Sequence, residues 1–300
     1  MSGLRTVAPL TITDAVIVSQ PAVEDDAPEW VASTSYTAGN KVRYAHVVYQ
    51  AGADVSDASA PPDNATVWIK IGPTNTWALF NGRTSQASKF ADGTASYRFK
   101  FGQAVDAAAA IGMVDVQTVR VRVIDPTYGT VFDKLVTVGS APELSDWWEW
   151  FFGEWTPTGA LGLFTGLPSY PQADVLVDFV GASTMQVGNL ILGNSKEWGL
   201  CVEVGASVGI QDFSRKDLDD YGNRVLVERT YIGWADMSIP IKRKDITPLK
   251  NYMALNRARP ILFLGSDDIE ALNLFGIAKD WSISIEYFDH SIFAIQLEEI

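Results

Sequence analysis

Several stretches of the chain alternate apolar and polar residues with a period of two, and this pattern constrains the fold more than any other feature. VRVRVID (residues 119–125) and VLVDFV (residues 175–180) both show it. Successive side chains of a strand point to opposite faces, so such a stretch buries one face and exposes the other. The pattern predicts a mainly β fold, with a jelly-roll or β-sandwich body of short strands separated by Gly, Asn and Asp turns.

The C-terminus has the pattern of a β-hairpin. WSISIEY (residues 281–287) places Trp281, Ile283, Ile285 and Tyr287 on one face. The turn sequence FDHS follows, and SIFAIQLEE (residues 291–299) then returns with Ile295 and Leu297 in register. Alternation on both sides of a turn predicts two antiparallel strands.

Two short helices are predicted near the C-terminus. In the first, Thr247 is the expected cap, Pro248 follows it, and the helix ends by Pro260. Its apolar residues at helical spacing are Leu249, Tyr252 and Met253. In the second, Ser266 is the expected cap, Asp267 and Asp268 lie in the first turn, and the helix ends at Gly276.

Composition excludes several classes of function. The 300 residues include 36 acidic and 23 basic ones, a net charge of −13, so the chain repels polyanions and we expect no nucleic-acid partner. The single cysteine, Cys201, excludes an intrachain disulfide. No apolar run reaches the length of a membrane span, so we expect no membrane insertion. The N-terminal residues lack the pattern of a signal peptide, so we expect synthesis in the cytoplasm.

Prolines and acidic residues divide the chain into three expected regions. Residues 1–28 are interpreted as a strand and a linker that contains Pro21 and Pro28. Residues 29–74 form a small aromatic β domain that closes at Gly72. Residues 75–300 form a β-sandwich body with a helix-plus-hairpin subregion at its C-terminal end.

The segment WVASTSYTAGNKVRYAHVVYQA, residues 30–51, is compact, aromatic and rich in turn formers. Gly39 or Asn40 can take a positive φ in a turn after Tyr36. Residues 42–44 and 47–49 then predict a short hairpin. A domain of about 45 residues cannot build a large core, so large aromatic side chains are expected to fill a small one.

At these positions the sequence resembles the small chitin- and cellulose-binding domains of carbohydrate-binding family 5/12. The matching positions are Trp30, residues 36–40, residues 42–44, residues 49–51, Pro61–Pro62 and Trp68. The resemblance implies sugar binding, because sugar rings stack on flat aromatic faces. The candidate carbohydrate-binding residues are Trp30, Tyr36, Tyr44, Tyr49 and Trp68.

One departure from that family bears on sugar binding. Members that bind crystalline chitin carry exposed aromatic residues after the Tyr-x-Ala strand, whereas residues 51–56 here are AGADVS. Three alternatives remain: a structural module that binds no sugar, weak glycan adhesion, or a module of another kind. Trp30 and Trp68 can also be interpreted simply as core residues.

A second aromatic cluster, SDWWEWFFGEW, occupies residues 145–155. Helical spacing would make both of its faces apolar, and such surfaces mark interfaces when they stay exposed. The alternative is a hydrophobic corner packed under the sandwich. The candidate subunit-interface residues are Trp147, Trp148, Trp150, Phe151, Phe152 and Trp155.

Two catalytic or metal-binding patterns are incomplete. Residues 205–209 match G-x-S-x-G around Ser207, but no amphipathic helix follows, and a triad would need a histidine where the chain has only two. Asp217, Asp219, Gly222 and Glu228 match part of a calcium loop, but Tyr221 interrupts it and Glu228 lies in a strand-like run. We therefore expect no catalytic residue, no metal and no cofactor, and hence a protein that is not an enzyme.

Four short runs stand out in the long β region: residues 209–216, 220–223, 259–262 and 275–276. In these runs, residues 75–300 resemble tail-tip or baseplate proteins of tailed bacteriophages. The resemblance implies a structural virion protein in a homo-oligomeric ring with other tail or baseplate proteins, with host-surface glycan as a further partner. The alternative is a free carbohydrate-binding protein or the binding part of a cell-wall hydrolase.

Overall fold

The computed structural model describes residues 3–21, 24, 26–32, 34–55, 60–138, 161–218, 224–266, 269–285 and 290–300. Within these ranges the fold is mainly β, with large antiparallel sheets and two short helices. The predicted fold class is therefore confirmed at this coarse level.

Eighteen strands lie in the described residues. The first nine are β1 (Leu4–Pro9), β2 (Ile17–Ser19), β3 (Lys41–Tyr44), β4 (Val47–Ala51), β5 (Trp68–Pro73), β6 (Ser88–Phe90), β7 (Thr94–Phe99), β8 (Ala107–Asp125) and β9 (Gly129–Thr137). The others are β10 (Gly162–Thr165), β11 (Asp174–Trp198), β12 (Ser207–Asp212), β13 (Arg215–Leu218), β14 (Arg224–Val227), β15 (Tyr231–Lys242), β16 (Ile261–Leu264), β17 (Asn273–Ser284) and β18 (His290–Glu299). The helices are α1 (Asn75–Ala78) and α2 (Ile246–Leu255).

The chain divides into two compact units. The central unit contains Thr11–Ile191, and the terminal unit contains Met1–Leu10 together with Leu192–Ile300. Strand β11 contributes its first part to the central unit and its last seven residues to the terminal unit.

In the central unit, the first part of β11 pairs antiparallel with β7 and β6, while β8 pairs with β9 and β10. Strand β7 has every second residue buried, which places Tyr97 and Phe99 in the core. The two rings stack in parallel, and Phe80 meets both of them edge-on. The period-two alternation read from the sequence therefore decides which face of this sheet is buried.

The same unit contains a separate three-stranded sheet, in the order β3–β4–β5. Strands β3 and β4 form the hairpin predicted from residues 42–49, with Val42 opposite Tyr49. Gly39 has a φ of +90°, as predicted for the turn before β3. This sheet has its own small hydrophobic cluster, described below.

In the terminal unit, the antiparallel order is β11–β1–β16–β17–β18–β15–β12. Leu4 pairs with Trp198 and Arg5 with Leu264, so the N-terminal strand lies between two strands that come much later in the chain. Helix α2 contributes Leu249, Tyr252 and Met253 to the core of this sheet. The three residues predicted to form the apolar side of the helix are therefore buried, as expected.

The start of α2 differs from the predicted one. Asp245 occupies the cap position with a near-helical backbone, because a 3₁₀ turn, Arg243–Asp245, runs directly into the helix. Thr247 and Pro248 consequently lie inside the first turn. Proline is tolerated there, since the N–H that it lacks would have no helical acceptor. The helix ends at Leu255, five positions before Pro260.

The second predicted helix near the C-terminus, from Ser266 to Gly276, is wrong. Residues 270–272 form a 3₁₀ turn, and β17 begins at Asn273. Ser266 does accept a hydrogen bond from the N–H of Ile269 at 3.2 Å, but β17 pairs with β16 on one side and β18 on the other. The hydrogen bonds of β17 to two neighbouring strands stabilise this segment more than one capping hydrogen bond would stabilise a helix.

The predicted C-terminal hairpin is confirmed, with Trp281 opposite Ile295 and Ile283 opposite Phe293.

Candidate functional site

The five candidate sugar-binding residues gather in one cluster on the three-stranded sheet. Its buried members are Val42, Tyr49, Ala51, Val55 and Trp68, and Trp30, Tyr36 and Tyr44 pack against them. Trp68 is only 2% exposed and Tyr49 only 9%. Rings with so little accessible surface offer no face to a sugar, so these two residues form the core of the module.

Trp30, Tyr36 and Tyr44 are half-buried, and their rings contact other rings. Trp30 meets Tyr44 edge-on at 5.5 Å between ring centroids, and Tyr36 meets Trp68 edge-on at 5.4 Å. The hydroxyl of Tyr36 accepts a hydrogen bond from the N–H of Val31 at 2.8 Å. Each of the three rings is thus held by an edge-on contact with another aromatic ring of the cluster. In the AGADVS segment, Ala51 and Val55 complete the core.

The turn between β3 and β4 contains Ala45 and His46, whose φ angles are +46° and +63°. Two consecutive positive φ angles are typical of the hairpin turn that matches the twist of antiparallel strands. Glycine or asparagine usually occupies such positions, because other residues are strained there by about 1–2 kcal/mol. Contacts of the His46 side chain offset this strain.

The imidazole of His46 lies between two carboxylates. Its Nδ1 is 2.6 Å from Oε1 of Glu24, and its Nε2 is 3.0 Å from Oδ2 of Asp14. A protonated imidazole has an N–H on each nitrogen, whereas a neutral one has only one. Burial lowers the pKa of His46, but hydrogen bonds to Asp14 and Glu24 and the charges of both carboxylates together raise that pKa above its usual value.

His46 also contacts an aromatic ring, and its partner Glu24 has a second partner in Arg43. Its ring stacks on the indole of Trp77 in α1. Behind it, the guanidinium of Arg43 reaches Glu24 at 3.5 Å and Glu29 at 3.7 Å. The cluster of His46, Arg43 and three carboxylates therefore carries no excess of positive charge, and its role is to fix the turn in place.

Beside His46 the central unit contains an open cleft of about 570 Å³. This volume is in the range of small-molecule sites. Residues that line the cleft include His46, Lys70, Trp77, Phe80, Arg83 and Gln86. Within the part of the chain that the structure describes, no aspartate or glutamate lines it, although the full chain has 36 of them. The side chains of Lys70 and Arg83 are exposed, and neither forms an ion pair with any residue that the structure describes.

A different surface lies on the terminal unit. Strands β13 and β14 form a two-stranded ribbon that pairs with no other strand in the described parts of the chain. Val225, Leu226 and Val227 follow one another on β14, and Leu226 is 69% exposed. Consecutive residues point to opposite faces, so both faces of the ribbon carry exposed apolar side chains. Contiguous exposed apolar side chains of this kind are available for contact with another apolar surface.

The G-x-S-x-G and calcium-loop patterns lie on strands and turns. Gly205 has a φ of +112° just before β12, Ser207 is the first residue of that strand, and the chain continues into β13 without a helix. Asp217 lies in β13, and Glu228 directly follows β14. These two strands pair antiparallel, whereas a calcium loop of this type lies between two helices. The described residues contain no group of three or more His, Cys, Asp or Glu side chains placed to hold a metal ion.

The candidate interface residues Trp147, Trp148, Trp150, Phe151, Phe152 and Trp155 lie outside the described residues. In the part of the chain that is described, no helix is long and apolar enough to cross a membrane.

Sequence reasoning missed the cleft. Its residues His46, Lys70, Trp77 and Arg83 are each unremarkable in their local stretch. Asp14 lies in the alternating N-terminal stretch interpreted as a strand, and Glu24 in the linker that follows it. One sequence signal was available: His46 is one of only two histidines in the chain.

No protein-family model matches the chain, and no curated protein or solved structure matches it either.

Proposed function

We propose that the chain is a structural, non-enzymatic component of a phage tail tip or baseplate, made in the host cytoplasm and incorporated into the virion. It assembles as a homo-oligomeric ring with other tail proteins and contributes to adhesion to host-surface glycan. The observation that carries this proposal is the β13–β14 ribbon, whose exposed Val225, Leu226 and Val227 are suited to a protein contact.

The partner of the ribbon is a second copy of the chain. Residues 213–230 contain four basic residues (Arg215, Lys216, Arg224 and Arg229) and four acidic ones (Asp217, Asp219, Asp220 and Glu228), a net charge of zero. The whole chain has a net charge of −13. A ribbon without net charge can approach an acidic copy with little electrostatic repulsion. Strand β12, at the end of the sheet order, has only β15 as a partner among the described strands, and its other edge can take part in such a contact.

The proposal includes a jelly-roll or β-sandwich body for residues 75–300, with residues 29–74 as the carbohydrate-binding-like module. Burial in two runs of the central unit supports a layered body. Residues 107–111 of β8 and residues 187–191 of β11 are buried without alternation. A strand is buried in this way when both faces of its sheet are covered.

Immunogold electron microscopy of an induced lysate, with antibody against residues 75–300, tests the virion assignment. We expect gold at tail tips. Gold absent from particles, with the protein free in the lysate, would overturn the assignment. Trp148→Ala and Trp150→Ala, in the second aromatic cluster, should impair assembly more than folding, and normal particles with both changes would exclude that cluster as a contact.

A variant of the ribbon tests self-association directly. Leu226→Ser should shift the purified chain from oligomer to monomer in native mass spectrometry, because it removes the central exposed apolar side chain. Leu255→Ser is the matched control, since Leu255 is an equally apolar, exposed residue at the end of α2 and not part of the ribbon. Equal oligomer populations in both variants would contradict the role of the ribbon.

The cleft beside His46 favours a second candidate, a free carbohydrate-binding protein or the binding part of a cell-wall hydrolase. This candidate predicts a monomer that is retained on chitin or peptidoglycan. Retention by a monomeric chain, together with the absence of gold from particles, would favour it over the virion protein.

A further inference from the structure

We infer that the cleft lined by His46, Lys70, Trp77, Phe80, Arg83 and Gln86 binds an acidic sugar unit, one that carries a carboxylate or a phosphate. The inference rests on the glycan-adhesion part of the proposed function. It places the site next to the cluster of Trp30, Tyr36 and Tyr44 rather than on it, and it names the class of sugar.

The charge of the cleft selects an anion. Lys70 and Arg83 line it, and no carboxylate among the described residues does, in a chain that has 13 more acidic than basic residues. The nearby carboxylates of Asp14 and Glu24 are engaged with His46, and Glu24 also with Arg43. Two cations without ion-pair partners among the described residues are available to a bound anion, and charged donors make the stronger hydrogen bonds.

The rings of the cleft suit the apolar face of a sugar. Trp77 meets Phe80 edge-on at 5.8 Å between ring centroids, and both side chains are half-buried. Stacking of His46 on Trp77 covers one indole face and holds the ring still. The parts of Trp77 and Phe80 that line the cleft supply apolar surface for the CH groups of a sugar ring.

The side-chain amides of Asn81 and Gln86 also line the cleft, and together they leave a hydrogen-bond donor on Gln86. Asn81 donates from Nδ2 to Oε1 of Gln86 at 3.0 Å, and its own Oδ1 accepts from the N–H of Arg83 at 2.6 Å. This arrangement occupies the acceptor of Gln86 and leaves its Nε2 as a donor. Lys70, Arg83 and Gln86 thus present donors, which match the oxygen acceptors of a carboxylate, a phosphate or sugar hydroxyls.

Isothermal titration calorimetry of the full chain with trigalacturonate tests the inference, with the methyl ester of the same trisaccharide as its uncharged match. A phosphorylated mannose oligosaccharide and its neutral parent form the second pair. Either acidic sugar should bind, more weakly at high salt, while the neutral partners should not. The pair that shows the difference identifies carboxylate or phosphate as the recognised group. Absence of binding by both acidic sugars, or equal binding by the neutral ones, would overturn the inference.

Matched variants locate the site. The double variant Lys70→Gln/Arg83→Gln should weaken binding roughly tenfold, as expected for two exposed charge contacts. The control Lys134→Gln/Arg259→Gln removes the same charge from exposed positions outside the cleft and should bind like the unmodified chain. Equal weakening in both double variants would show a general charge effect and reject the cleft. Titration with purified protein does not depend on particles, so this outcome is independent of the immunogold result.

Discussion

The imidazole of His46 lies almost parallel to the indole of Trp77, with 3.9 Å between the ring centroids and 17° between the ring planes. His46 belongs to the turn of the three-stranded sheet, and Trp77 to α1, which follows that sheet. The N–H of Thr74 also donates to the carbonyl of His46 at 2.8 Å. One turn residue therefore joins the aromatic module to the next segment of the central unit and forms a wall of the cleft.

Replacement of His46 should make stability depend less on pH. In the folded chain the pKa of His46 is raised above its unfolded value, so the folded state binds the proton of His46 more tightly than the unfolded state does. The resulting stabilisation is fully present below the unfolded pKa, about 6.5, and is lost as pH rises through the raised folded pKa. We expect His46→Gln to destabilise the central unit at about pH 5.5 and much less at about pH 9.

Urea unfolding of both proteins at the two pH values measures this difference. A gap in unfolding free energy that stays constant between them would contradict a protonated His46 between Asp14 and Glu24.

The buried hydrogen bond between Trp198 and Thr6 should stabilise the terminal unit. Trp198 donates from Nε1 to Oγ1 of Thr6 at 2.9 Å, and Thr6 is fully buried. Thr6→Val keeps the shape but leaves the indole N–H without this acceptor, so we expect a loss of about 1–3 kcal/mol. Trp198→Phe, alone and combined with Thr6→Val, completes a double-mutant cycle in chemical denaturation. Additive effects of the two changes would mean that the bond contributes nothing.

Gly276 should tolerate no side chain. A Cβ at this position would overlap the carbonyl oxygen of Glu298 on the neighbouring strand β18. Gly276→Ala must therefore push β17 and β18 apart, and we expect it to cost more than about 3 kcal/mol. Gly102 is the matched control, because it has a φ of +66° and open space around it, so Gly102→Ala should cost only about 1 kcal/mol of backbone strain. Thermal unfolding of the two variants should rank them in this order, and the reverse order would refute it.

The aromatic module should depend on Trp68 far more than on Trp30. Trp68 is a buried core residue, so Trp68→Ala should destabilise the module by about 3–5 kcal/mol. Trp30 is half-buried and contacts Tyr44 edge-on, so Trp30→Ala should cost much less. Hydrogen exchange of the amides in residues 41–51 measures local unfolding of the module. Similar exchange in the two variants would show that Trp68 is no more central than Trp30.

Strands and turns were predictable where the signal was local. The hairpins of β3–β4 and β17–β18 follow from alternation on both sides of a turn, and the buried side of α2 follows from helical spacing. The helix expected from Ser266 was wrong because a capping signal is also local, whereas residues 273–284 gain a partner strand on each side. The clustering of the aromatic residues of the module was predicted, and so was a core position for Trp68 as one alternative, but the half-buried position of Trp30 was not.

The sequence by itself determined the β class, the acidic charge and the short hairpins, because these depend on residues close together along the chain. The tertiary structure decided the rest. Only the fold pairs Leu4 with Trp198, and only the fold brings Glu24, His46 and Trp77 into contact. Contacts between distant residues depend on the closure of long loops and on strand partners that no local pattern encodes. The cleft exists because such contacts hold the turn at His46 against α1.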